Sequence, residues 1–282
     1  MPSVSYVTHP HQRITEAQFQ QLLEENFLIL PRFIPDDELP ALQAAQRNAL
    51  KPWDEVKANP PPHRALIIPY PYTDLRMSQL YLHPELIKLG RRFLKTPDVH
   101  ARVGCLLARY PGFVCNDPGH IDNGNNSLLP MSTSHREFGQ LGFWIHLEEV
   151  KAETAPLRLV RTRDGKDLSK AVPLVCPPGT VCIFNNYTFH AASDFTGTTG
   201  QRFTWGWGLG RADHSFEGFV HYTNIGTDPM WKAVVASFTA DERTLFRFPP
   251  PNHYYYTRQT LAALEAWYPG WNARGEYLPS DG

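Results

Sequence analysis

Apolar residues recur at helical spacing near the start of the chain, run in short stretches through its middle, and return to helical spacing at its end. In ITEAQFQQLLEENF, Phe19, Leu22, Leu23 and Phe27 repeat with a helical period. Thr15 with Gln18 three residues on supplies a capping-box start. FLILP then reads as a short buried strand. PDDELPALQAAQRNAL predicts a second helix, with Asp36 as its cap and carboxylates in its first turn. HPELIKLGRRFLK predicts a third, with Pro84 suited to its first turn. Residues 51–77 between them are rich in proline and irregular. So long a connection is expected to be a lid or a binding loop, and otherwise a mobile linker.

From about residue 99 the texture changes. VHARVGCLLARYP, LGFWIHLEEV, PLRLVRT, GTVCIFN and QRFTWGWGLG are short apolar or alternating runs separated by Gly, Pro and Asn. Strands at this spacing suggest a β-sandwich or barrel. After about residue 228 helical patterns return: Asp228 and Pro229 open one helix, Thr239 with Glu242 caps another, and TRQTLAALEAWYPGW closes the chain. The expectation is one domain over residues 1–282, mainly β with flanking helices. A helical scaffold covers about 14–98, the β core about 99–225, and a helical segment about 226–282.

Composition narrows the partners. The 282 residues carry a net charge of -1 with no long block of either sign, which argues against nucleic acid or an anionic membrane as partner. There is no secretory signal at the start and no apolar run of spanning length, so a cytoplasmic location is expected. The four cysteines show no CxxC spacing; Cys105 and Cys182 lie in apolar runs and read as reduced core residues.

The candidate chemistry starts in PGHIDNGN. His120 and Asp122, two positions apart, face one point in an extended segment, with Ile121 turned away into the core. A turn whose polar residues bond their own backbone is the competing reading. A metal held by one imidazole and one carboxylate needs a third ligand. His190 supplies it best, because in PGTVCIFNNYTFHAAS it follows a strand and a turn made by Asn185 and Asn186. His146, in FWIHLEEV, is the rival and is placed to line the site without binding metal. Two imidazoles and a carboxylate leave open positions that suit non-haem Fe(II), which must bind co-substrate and O2 together. In GQRFTWGWG, Arg202 and Thr204 share one strand face and Phe203, Trp205 and Trp207 the other. A buried Arg and Thr need a partner, which a dicarboxylate would provide through forked bonds to the guanidinium.

The ordered set His120, Asp122, His190, Arg202 and Thr204 resembles the Fe(II)- and 2-oxoglutarate-dependent oxygenases, and within them the phytanoyl-CoA dioxygenase-like family. FLILPRF, FWIHLEEV and PGTVCIFNNYTFHAAS are similar to that family's segments, and the resemblance covers roughly residues 15–210. One departure is RLVRTRDGKD, which stands where members often carry a Gly-Ser-His motif, so no function of that motif is carried over. The resemblance implies a double-stranded β-helix (jelly roll, cupin-like) holding Fe(II). It implies 2-oxoglutarate bound through its C1 carboxylate and keto oxygen, with O2 in the last position. The implied reaction hydroxylates an unactivated C–H bond of a small metabolite or natural product and releases succinate and CO2. It also implies that Asp122 favours hydroxylation over halogenation.

Around that set, Tyr110 is a candidate to bond the co-substrate and Trp144 to line the pocket; a packed aromatic is the plain role of each. Asn123, Asn125 and Ser127 read as turn formers. Arg109 is undecided, and Arg161 and Arg163 read as exposed charge. Two alternatives use the same fold, a cupin-like metal-dependent isomerase or hydrolase and a non-catalytic binding module. The Arg202–Thr204 pair argues against the first, since only the oxygenase needs a dedicated carboxylate clamp, and the intact set His120, Asp122 and His190 argues against the second.

Overall fold

Capping and apolar periodicity set the first elements of the computed structural model, which describes residues 8–79, 83–122, 136–213, 228–246, 248, 250–252, 256 and 258–277. Thr15 and Gln18 exchange side chain-to-backbone hydrogen bonds at the start of α1 (Glu16–Glu25). Asn26 ends that helix in the left-handed region, at φ 67°, and lets the chain turn directly into β1 (Phe27–Leu30). The second helix, α2 (Leu39–Leu50), begins later than its sequence suggests, with Pro40 in the first turn. Its N-terminus has no side-chain cap; the Asp36 carboxylate lies 3.8 Å from Arg32 instead.

Residues 51–77 are not one irregular loop. They form α3 (Trp53–Val56), β2 (Ala65–Pro69) and α4 (Leu75–Gln79). The apolar run ALIIP makes β2 an edge strand, and Pro69 is tolerated at its end because an edge position needs no donor there. Next come α5 (Pro84–Phe93) and the strands β3 (Val99–Arg109), β4 (Gln140–His146), β5 (Arg158–Leu159), β6 (Val172–Pro173), β7 (Thr180–Asn185), β8 (His190–Ala191) and β9 (Arg202–Arg211). Asp228 caps α6 (Pro229–Ser237), and a Thr239–Glu242 capping box opens α7 (Ala240–Leu245). Then follow α8 (Arg258–Trp267) and α9 (Ala273–Tyr277). Among the described residues no helix is long and apolar enough to cross a membrane.

The strands make two antiparallel sheets, β1-β7-β4-β9-β3-β2 and β6-β5-β8. The fold is therefore mainly β with flanking helices, as the strand spacing predicts. Alternation divides the labour between the faces of the large sheet. Leu141, Phe143, Ile145, Val181, Ile183, Phe203, Trp205 and Leu209 are buried in one cluster with Leu22, Leu42, Leu86 and Val234 from the helices. The other face carries Phe27, Cys182 and Phe184 against Leu157, Leu159 and Leu174 around the small sheet. Each fully buried Leu, Ile or Phe stabilises by roughly 1.5–3 kcal/mol. The helix-covered face thus carries most of the stability, and the opposite face is free to hold polar groups.

Two buried histidines tie this stability to pH. Burial pulls the pKa of His83 down to about 4 and that of His146 to about 3. The unfolded chain protonates both near the ordinary value of about 6.5. Below that pH the unfolded state binds protons that the folded state refuses. Stability is therefore lost as pH falls from about 6.5 toward 4, by up to about 1.4 kcal/mol per pH unit for each histidine. Urea unfolding at pH 7 and pH 5 is expected to show this drop. His83→Gln and His146→Gln are each expected to have a shallower pH slope than wild type, whatever their stability at pH 7. A wild-type slope that neither variant changes would show that other groups govern acid sensitivity.

Candidate metal centre

The loop after β3 reaches the opposite sheet by a fixed turn. The Cys115 backbone N–H donates to the Asp194 carboxylate at 2.7 Å, and the Gly119 N–H to Asp117 at 2.9 Å. Gly119 has φ 99°, and a Cβ there would come within 2.5 Å of the Phe189 ring, so only glycine fits. His120 then pairs with the first residue of β8: its N–H donates to the His190 carbonyl, and the His190 N–H donates back, both at 2.9 Å. His190 is placed by the turn that its asparagines predict. The Tyr187 N–H donates to the Asn185 side chain at 2.7 Å, and Asn185 and Thr188 both bond Asn26.

This bridge sets the two imidazoles side by side, with ring centroids 4.4 Å apart. The Nδ1 of His190 donates to the Thr188 carbonyl at 2.9 Å, and the Nδ1 of His120 lies 2.5 Å from an Asp117 oxygen. Both Nε2 atoms are thereby turned toward Asp122, whose Oδ1 is 3.6 Å from that of His120 and 3.7 Å from that of His190. One ligand atom from each of the three lies within 4.8 Å of the others. Metal–ligand bonds of roughly 2.0–2.2 Å place neighbouring ligand atoms roughly 3 Å apart, so a small closure of these side chains encloses one ion. Burial alone would raise the Asp122 carboxyl, but His120, His190 and Arg102 outweigh it and hold it below the usual range. The Asp122 carboxylate in turn raises the pKa of His120, whereas burial lowers that of His190. Ile121 turns away as expected, but into a cavity of about 440 Å³ shared with Asn26, Val160 and Phe189 rather than into the deep core.

On β9, Arg202 and Thr204 face the same side as Gly206 and Gly208, opposite to the aromatic residues. Arg202 is 2 % exposed and Thr204 is fully buried. The Nε and Nη1 of Arg202 and the Thr204 hydroxyl have no hydrogen-bond partner among the described residues. Burial, with Arg109 adding a like charge, pulls the pKa of Arg202 down to about 9. Arg109 is the direct cross-strand partner of Arg202, and its own Nε also lacks a partner. Its guanidinium lies over the Phe113 ring at 4.6 Å. His146 completes the group. Its Nδ1 donates to the Phe203 carbonyl at 3.1 Å, which leaves a bare Nε2 buried without a partner, and its low pKa keeps it neutral. Two guanidinium groups, a hydroxyl and a neutral imidazole, with no acid paired to Arg202 among the described residues, could hold an anionic group.

Trp144 stands between the two sets. Its Nε1 lies 3.3 Å from where a Cβ on Gly206 would be, and its ring meets Phe184 edge-on at 5.6 Å. Phe184 in turn lies 5.2 Å from the His190 ring. Tyr110 is not brought into this group: it packs edge-on against Phe203 on the helix-covered side, and its hydroxyl donates to the backbone carbonyls at the end of α2. Arg161 and Arg163 both pair with Glu25, at 3.1 and 3.2 Å. Asn123, Asn125, Ser127 and His135 lie outside the described residues.

Sequence reasoning missed Asp117 and Arg102 and left Arg109 open. Arg109 was within reach, since it ends a predicted strand; its pairing with Arg202 depends on register, which the strand pattern alone does not give. Asp117 becomes meaningful only once the Pro118–Gly119 turn folds it back onto His120.

Neither a protein-family model nor a curated protein matches this sequence. Solved structures do match in three dimensions. The non-haem alpha-ketoglutarate-dependent carbocyclase SnoK from nogalamycin biosynthesis is similar over 78 % of this chain and 93 % of its own, at 18 % identity and a TM-score of 0.57. HygX from Streptomyces hygroscopicus, with nickel and 2-oxoglutarate bound, matches over 72 % of this chain and 90 % of its own, at 15 % identity and a TM-score of 0.54. EctD from S. alaskensis, with bound Fe, matches over 76 % and 83 %, at 17 % identity and a TM-score of 0.54. At these identities the likeness is one of fold, and the fold is a jelly roll.

Proposed function

We propose that the protein is an Fe(II)- and 2-oxoglutarate-dependent oxygenase that hydroxylates an unactivated C–H bond of a small metabolite or natural product, within the phytanoyl-CoA dioxygenase-like group. The observation that carries this reading is the pairing of His120, Asp122 and His190 with a buried Arg202 and Thr204 whose Nε, Nη1 and hydroxyl find no hydrogen-bond partner among the described residues. A cupin-like isomerase or hydrolase would use the first set and have no need of the second.

In this reading His120 and His190 present neutral Nε2 atoms, and Asp122 a carboxylate, to one ferrous ion. Arg202 and the Thr204 hydroxyl hold the far carboxylate of 2-oxoglutarate, and Arg109 adds a second positive charge beside them. That carboxylate relieves the cost of burying Arg202 uncompensated. Trp144 and Phe184 wall off the space between clamp and ligands and exclude water from it. When bound, iron and co-substrate supply the oxygen activation that attacks the C–H bond, with succinate and CO2 as co-products. On β2, Ile67 is 60 % exposed and shares a sheet face with Leu107 and Thr204 through the strand pairing. It gives the expected substrate-contact role of residues 51–77 an apolar surface beside the clamp.

Anaerobic addition of Fe(II) and 2-oxoglutarate is expected to give a weak visible charge-transfer band in wild type. Asp122→Ala is expected to lose both the band and succinate formation; wild-type-like succinate release by that variant would remove the assignment. The similar structures include a carbocyclase and an epimerase, so product analysis belongs with this test.

The clamp is tested separately. Loss of a charge-assisted forked pair costs roughly 1.5–3 kcal/mol, so Arg202→Ala is expected to raise the KM for 2-oxoglutarate about 10–100-fold. Arg109→Ala removes a neighbouring charge rather than the fork, and a rise of only about 3–10-fold is expected. Unchanged KM values in both variants would place the co-substrate elsewhere.

A further inference from the structure

We infer that Asp117 is a positioning carboxylate for His120, and that it makes the two histidine ligands unequal. The inference rests on the metal reading above, because it concerns how one ligand of that site is held.

His190 needs no help to keep its orientation. Its side chain is 4 % exposed, its ring packs against Phe184, and its Nδ1 is fixed by the Thr188 carbonyl. His120 is different. It follows a loop rather than lying within a strand, and 49 % of its side chain is exposed. The bridge to His190 fixes its backbone but leaves the ring free to turn about its side-chain torsions. The polar group that holds its Nδ1 is Asp117, at 2.5 Å. Asp117 is itself held, because its other oxygen accepts the Gly119 N–H in a turn that tolerates no side chain at Gly119.

A neutral imidazole whose Nδ1–H donates a hydrogen bond to a carboxylate carries its lone pair on Nε2, the atom facing Asp122. A carboxylate partner also makes the ring a stronger electron donor than a carbonyl partner does. His120 is therefore the more strongly donating ligand, His190 the more rigidly packed one.

The plainer role for Asp117 is the turn alone, and Asp117→Asn separates the two. The amide can keep its oxygen on the Gly119 N–H, but it then turns an NH2 group toward His120. That donor forces Nδ1 to accept and moves the proton to Nε2, where it blocks the metal. Co(II) binding is measured by calorimetry and by its visible d–d absorption in wild type, Asp117→Asn, Asp117→Ala and His190→Ala. Melting of the metal-free proteins is followed alongside. The expected result is one equivalent bound by wild type and lost in His190→Ala. Asp117→Asn should bind about 10–100-fold more weakly, with altered d–d bands and unchanged metal-free melting. Asp117→Ala should also weaken binding. If Asp117→Asn matches wild type in affinity and spectrum, the positioning role is wrong while the metal site stands. If wild type binds no Co(II), or His190→Ala binds it equally well, the metal reading itself fails and this inference falls with it.

Discussion

A buried guanidinium with no acid paired to it among the described residues is the least comfortable feature of this fold, and much of the candidate site is arranged around it. Arg202 has lost its water and has gained a second guanidinium, that of Arg109, as its cross-strand neighbour. Uncompensated charge in such a place costs several kcal/mol. A protein can hold it only if burial elsewhere outweighs that cost. Here the same strand supplies both sides of the balance. Phe203, Trp205, Trp207 and Leu209 of β9 are packed into the helix-covered core, while Arg202 and Thr204 occupy the opposite face. In the proposed reading the carboxylate of the co-substrate would lower that cost, so affinity for an acid would follow from how the strand is buried.

The candidate metal centre is built on a different device. A single antiparallel bridge, two hydrogen bonds of 2.9 Å, joins residues 70 positions apart in sequence, and these residues are the two histidines of the candidate triad. Backbone pairing at that point fixes the relative height of the two rings more firmly than any side-chain contact would. Asp122, two residues beyond His120, then needs no long-range support of its own to face both Nε2 atoms. The less buried ring is the one given a charged partner, and the more buried ring the one given a carbonyl.

Much of this was legible in the sequence where a local rule applies. The parity of β9 followed from QRFTWGWG, because alternate side chains must go to opposite faces and the aromatic set is the one a core would take. His-x-Asp and the approach to His190 were readable for the same reason: short extended runs and asparagine turns constrain direction locally. What failed or stayed silent depended on distant contacts. ALIIP became a strand only because β3 offered it an open edge. Asp36 looked like a cap, but the helix it should open starts at Leu39, where Pro40 favours the first turn. Arg109 could not be assigned without register.

Register also explains why β3 carries an irregularity. Arg102 pairs with Gly208 and Arg109 with Arg202, and Gly208 and Arg202 lie on one face of β9. Yet positions 102 and 109 differ by an odd number, so in an uninterrupted strand they would point to opposite sides. The shift in pairing between Arg102 and Cys105 absorbs the extra residue and turns the second half of the strand over. One bulge thus lets β3 address both ends of the site. Arg102 contributes a positive charge that helps keep Asp122 ionised, and Arg109 stands beside Arg202. Removing that extra residue would change every side chain on one half of β3 from one face to the other. The bulge is therefore as much a part of the site as the residues it aims.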